Sequence, residues 1–106
     1  EEALSVNSRL QLSEISKIMQ KRIQKQLMED GVTIVDPDNT WIDVRAKIGQ
    51  DTIIEPFTYI KGQVSIGQNC RIGPFAYLKD GTILKDEVVL EFSQGSVNQL
   101  GRKAGK

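Results

Sequence analysis

From Ile42 to Leu90 the apolar positions fall in sixes: Ile42, Ile48, Ile54, Ile60, Ile66, Ile72, Leu78, Leu84 and Leu90 form one unbroken column. Four residues after each member, as far as Leu84, comes a small or β-branched residue: Ala46, Thr52, Thr58, Val64, Cys70, Ala76, Thr82 and Val88. A longer period lies over the short one. Pro56-Phe57-Thr58-Tyr59-Ile60-Lys61 returns eighteen residues later as Pro74-Phe75-Ala76-Tyr77-Leu78-Lys79, and Trp41, Tyr59 and Tyr77 keep the same spacing. Six inside eighteen is the signature of a solenoid with three short sides per coil. In each hexad the large residue fills the axis and the small one fits the corner. Successive coils then stack at the inter-strand distance of about 4.8 Å, and no coil buries its inner face alone. The pattern predicts a mainly β fold, a parallel β-helix of triangular 18-residue coils. The general crossover rule favours a right-handed turn.

Upstream the period changes. Over Leu10–Asp30, Leu12, Ile15, Met19, Ile23 and Leu27 step by three and four, which predicts one long α-helix with a narrow apolar stripe. Lys17, Gln20, Lys21, Gln24 and Lys25 fall on its other face. Ser8 with Gln11 fits a capping box, and Gly31 a C-terminal stop. Asp36-Pro37-Asp38-Asn39 is a turn signal ahead of the first hexad. Gly49, Gly67 and Gly73 each follow a column isoleucine, so those corners need positive φ or close backbone approach. The hexads degrade after Leu90, where Gln94 takes the place of a small inward residue. Ser96 to Lys106 then reads as an unfinished coil or a frayed end.

Composition narrows the function. Fourteen basic residues balance fourteen acidic ones, which gives no reason to propose nucleic acid or a polybasic membrane contact. No apolar run reaches transmembrane length. One cysteine, Cys70, excludes an internal disulfide and suits a reducing compartment; its place in the small inward column makes it a core residue. The sequence has no histidine, which removes the commonest general base near neutral pH. Trp41, Tyr59 and Tyr77 precede column residues and therefore form an outward stack, either packing along one side of the prism or facing a neighbouring subunit.

The strict hexad column resembles the left-handed parallel β-helix of the hexapeptide-repeat acyltransferases, which breaks the crossover rule. Ser5-Val6-Asn7-Ser8-Arg9-Leu10-Gln11-Leu12, Gly31-Val32-Thr33-Ile34-Val35-Asp36-Pro37 and Ile72-Gly73-Pro74-Phe75-Ala76-Tyr77-Leu78 narrow the likeness. They resemble the bacterial bifunctional N-acetylglucosamine-1-phosphate uridyltransferase/glucosamine-1-phosphate acetyltransferase. That resemblance implies residues 1–9 as the tail of a nucleotidyltransferase domain, 10–31 as a linker helix and 32–106 as a left-handed β-helix incomplete at its C-terminal end. It implies an enzyme of UDP-N-acetylglucosamine synthesis, a cytoplasmic homotrimer that binds sugar phosphates and nucleotide sugars and uses UTP, acetyl-CoA and Mg²⁺. This stretch would carry mainly linker and scaffold, be inactive alone, and belong to a longer protein.

The resemblance also assigns residues. Asn7 aligns with an asparagine that helps an aspartate bind Mg²⁺, and an amide oxygen is a suitable hard ligand; the other reading is a helix cap. Lys79 aligns with an arginine that contacts the sugar phosphate, although lysine supplies a point charge rather than a fork; the other reading is a solvated position like Lys61. Ser96 replaces a family lysine. The family's catalytic histidine has no counterpart, even when a two-residue gap lays Lys106 over it, so no catalytic residue is assigned. Two other classes stay open: a non-catalytic trimerisation or structural module, and a sugar nucleotidyltransferase with a regulatory β-helix.

Overall fold

A computed structural model describes residues 6–93 and 96–98, with side chains described for 8–91. One helix, α1 (Val6–Glu29), leads into a left-handed parallel β-helix of three coils. The first coil contains β1 (Thr33–Ile34), β2 (Thr40–Ile42) and β3 (Lys47–Ile48). The second contains β4 (Ile53–Ile54), β5 (Thr58–Ile60) and β6 (Ser65–Ile66), and the third β7 (Arg71–Ile72), β8 (Tyr77–Leu78) and β9 (Ile83–Leu84). Each side of the prism is one sheet, in the orders β1-β4-β7, β2-β5-β8 and β3-β6-β9. Parallel partners lie one coil apart, for example Trp41 opposite Tyr59 and Tyr59 opposite Tyr77.

The column residues fill the axis. Ile42, Ile54, Ile60 and Ile72 are fully buried, and Ile66, Leu78 and Leu90 nearly so. Ile48 and Leu84 are only half-buried. They belong to the first and last coils of the β3-β6-β9 side, where stacking covers one flank only. Ile34 and Val32 also belong to the core. Ile34 pairs through β1 at a spacing of twenty, opposite Ile54, because the corner between β1 and β2 takes a 3₁₀ turn, Pro37–Asn39. Those extra residues hide Ile34 from a search in sixes.

The small column does more than fit the corners. Thr40, Thr58 and Thr82 donate their hydroxyls to the carbonyls of Asp36, Glu55 and Lys79 at 2.7–2.8 Å. Thr52 ties two coils together: its hydroxyl donates to the Gly67 carbonyl at 2.7 Å and accepts from the Cys70 amide at 3.1 Å. Cys70 is a buried free thiol whose Sγ donates to the Lys85 carbonyl at 3.1 Å, as a core position requires. The glycine expectation holds in both its forms. Gly73 has a φ of 91°. A Cβ on Gly49 would stand 2.7 Å from the Gly67 carbonyl, and one on Gly67 would stand 2.7 Å from the Asp86 amide.

The helix differs from expectation in two respects. It begins at or before Val6, so Ser8 lies inside its first turns and is not its N-cap. It also docks on a different face. Leu12, Ile15 and Met19 are exposed, while the contact with the first coil is made by Gln20, Ile23, Gln24 and Leu27. These four stand at i, i+3, i+4 and i+7, one stripe of mixed amide and apolar character. The helix ends as predicted at Gly31, with a φ of 100°. The Val32 amide donates to the Leu27 carbonyl at 3.0 Å and the Gly31 amide to the Met28 carbonyl at 3.1 Å, the paired bonds of a Schellman cap.

Past Leu90 the chain leaves the coil pattern. β10 (Val89–Ser93) pairs in parallel with β7 and antiparallel with β11 (Ser96–Asn98). Ser96, which replaces the family lysine, therefore lies in the return strand of a hairpin opposite Ser93. Lys106 lies outside the described residues.

Candidate functional site

The amides of α1 complete the first coil. Backbone N–H groups of each coil donate to carbonyls of the next, as Asp43 does to Ile60 and Lys61 to Leu78. The opposite edge of β2 has no coil before it, and an uncovered strand edge is a liability. Gln20 covers it as another strand would: its Nε2 donates to the Ile42 carbonyl at 2.8 Å and its Oε1 accepts from the Ile42 amide at 2.9 Å. Gln24, 2% exposed, donates from Nε2 to the Thr40 carbonyl at 2.8 Å and to Gln20 Oε1 at 3.0 Å. Both partners are acceptors, which fixes the orientation of the amide and leaves Gln24 Oε1 buried without a partner. Sequence alone set both glutamines on the outward face. The available signal was their i, i+4 spacing alongside Ile23 and Leu27.

Lys79 stands exposed at the corner after β8, where its carbonyl accepts from the Thr82 amide and hydroxyl. Lys61 is exposed at the matching corner one coil earlier. A shallow groove of about 300 Å³ opens from Gly81, two residues beyond Lys79, and is lined also by Arg45, Lys47 and Gln63. Lys79 itself does not line that groove and stands as an exposed corner lysine like Lys61. Asn7 lies in the first turns of α1, and its side chain is outside the described residues. Nothing brings Asn7 and Lys79 together.

A cluster that the sequence did not announce sits at the corner after β2. Asp43 accepts at Oδ1 from the Arg45 amide at 2.9 Å and from Arg45 Nε at 3.0 Å. At Oδ2 it accepts from Arg45 Nη2 at 3.1 Å and from the Gly62 amide of the next coil at 2.9 Å. The Arg45 side chain holds the Asp43 carboxyl far below the usual carboxylate range, its backbone amide and that of Gly62 adding to the effect against the opposing pull of burial. The same pair raises the Arg45 guanidinium. Only 10% of the Asp43 side chain is exposed, against 57% for Arg45, so the aspartate is the anchored member. Asp80 and Asp86 accept similarly from the amides of Gln63 and Gln68 in the preceding coil, at 2.6 and 2.8 Å. Such carboxylates are stapling atoms between coils. Glu55 is engaged with Arg71.

Chemically the described residues can hold an anion but do not pair a base with a nucleophile. Among them no three His, Cys, Asp or Glu side chains gather to hold a metal ion. Among the same residues no helix is long and apolar enough to cross a membrane. The outward rings stack as the spacing requires, Trp41 on Tyr59 at 4.8 Å and Tyr59 on Tyr77 at 5.6 Å. A second stack, Phe57 on Phe75 at 5.2 Å, follows from the repeated Pro-Phe pair.

Comparison with known proteins agrees with this geometry. Residues 45–80 match the family described as bacterial transferase hexapeptide (six repeats). The bifunctional protein GlmU of Caldanaerobacter subterraneus subsp. tengcongensis is 45% identical over 106 residues, covering 95% of this chain and 23% of that protein. GlmU of Listeria innocua is 54% identical and GlmU of Thermosipho africanus 52% identical, each over 63 residues, 59% of this chain and 14% of theirs. The chain thus spans between about a seventh and a quarter of the length of these curated relatives. With its hexads, its left-handed coils and this identity across helix and prism, the chain belongs to the hexapeptide-repeat transferases and corresponds to part of a bifunctional GlmU enzyme.

Proposed function

We propose that the chain serves as linker and scaffold in a cytoplasmic enzyme of UDP-N-acetylglucosamine synthesis, a precursor for peptidoglycan and cell-wall biogenesis. In this reading, acetyl passes from acetyl-CoA to glucosamine-1-phosphate at a site mounted on the prism. Uridylyl transfer from UTP, with Mg²⁺, takes place at a site that Asn7 would join. Lys79, an exposed cation at the corner after β8, would contact the sugar phosphate. The prism would assemble as a homotrimer. The observation that carries the reading is the 45% identity to a bifunctional GlmU over helix and prism together.

The chain lacks the side chain most suited to act as a general base near neutral pH. It has no histidine, the Asp43 carboxylate is held by Arg45, and Cys70 is buried. Purified chain should therefore give no acetylation of glucosamine-1-phosphate from acetyl-CoA, and measurable turnover would contradict the scaffold assignment. Light scattering of the chain should give a mass near 36 kDa, three times 11.9 kDa. A monomer at high concentration would contradict assembly through the prism.

A further inference from the structure

Between α1 and the first coil runs a groove of about 570 Å³, within the range of small-molecule sites. None of its lining residues is Asn7 or Lys79. Two features of its walls point to one class of ligand. Trp41 lines it, and Trp41 is the terminal ring of the Trp41–Tyr59–Tyr77 stack, because β2 is the first strand of its sheet. A planar ring laid against Trp41 would continue that stack by one step, with the half-exposed Met28 beside it. On the helical wall, Lys17 and Lys21 stand one turn apart and both are exposed, and among the described residues neither is in an ion pair.

We propose that this groove binds a nucleoside monophosphate. The base would stack on Trp41, the phosphate would lie between Lys17 and Lys21, and Asp38, which also lines the groove, would accept from the ribose hydroxyls. The site lies at the joint between helix and prism, so occupancy would fix the angle between them. Binding here involves no covalent step.

Trp41 is the sole tryptophan, so indole fluorescence reports on the groove directly. The test titrates the chain with AMP, adenosine and inorganic phosphate, exciting at the red edge of the indole band to exclude the tyrosines. AMP should quench saturably, adenosine should quench with about tenfold weaker affinity, and phosphate alone should not quench. The double variant K17A/K21A, changed only at exposed positions, should keep its circular dichroism and bind AMP about tenfold more weakly, no better than adenosine. Absence of saturable quenching by millimolar AMP would overturn the proposal. So would quenching that is the same for AMP and adenosine and indifferent to the two lysines.

Discussion

The prism and the helix hold their places by opposite means. The prism is held by apolar columns, with Ile42, Ile54, Ile60 and Ile72 wholly out of water along one axis. The helix is held to it by amides, Gln20 and Gln24 acting on Thr40 and Ile42 as a preceding strand would. Among the described residues only Ile23 and Leu27 of its apolar side chains pack on the core, while Leu12 and Ile15 remain exposed. A repeated fold can extend itself by burying one more coil, but its first coil has no neighbour to pair with. Hydrogen-bonding side chains close that end, and they are specific in a way that apolar contact is not.

The comparison breaks most severely in the prism. Ile60→Ala leaves a cavity on the axis of the middle coil and should cost about 2–5 kcal/mol. Chemical denaturation should show the whole β signal lost at lower denaturant, because each coil relies on its neighbours. Gln24→Ala should cost less, about 1–3 kcal/mol, since it leaves the Thr40 carbonyl buried without its donor. Its effect should be local: helical circular dichroism melts earlier while the β signal keeps its midpoint. Loss of both together would mean that helix and prism form one cooperative unit.

These two outcomes match what was and was not legible in the sequence. The prism could be read because its determinants recur. Ile42 to Leu90 repeats a choice of residue every six positions, and the aromatic stack every eighteen. Ile34 escaped only because the Pro37–Asn39 turn lengthens one corner. The docking of the helix could not be read, since a glutamine that pairs with a strand edge has the same identity as one that faces water. Asp43 illustrates the same limit: its partners Arg45 and Gly62 are two and nineteen residues away, and the link to Gly62 exists only once the coils stack. Of the two residues assigned by resemblance, Lys79 is positioned by its corner, whereas the side chain of Asn7, in the first turns of the helix, lies outside the described residues.

The smallest effect at neutral pH should come from the corner staples, and it should be pH-dependent. The Asp43 carboxyl is held below its ordinary value of 3.8, so its contribution is fully present above that value. It is lost as pH falls below the ordinary carboxylate range, when the folded form must also take up the proton. Asp43→Asn should therefore flatten the acid side of a stability–pH profile. An unchanged acid limb would mean that the Arg45–Asp43 contact does not outlast solvent exchange.

The docking of helix on prism is tested most directly by amide hydrogen exchange at two adjacent residues. The Ile42 amide donates to the Gln20 side chain, whereas the Asp43 amide donates to the Ile60 carbonyl inside the prism. In the unaltered chain both should be protected. In Gln20→Ala, Ile42 should exchange at least about tenfold faster while Asp43 keeps its protection. Equal protection of Ile42 with and without Gln20 would contradict the claim that side-chain amides complete the first coil.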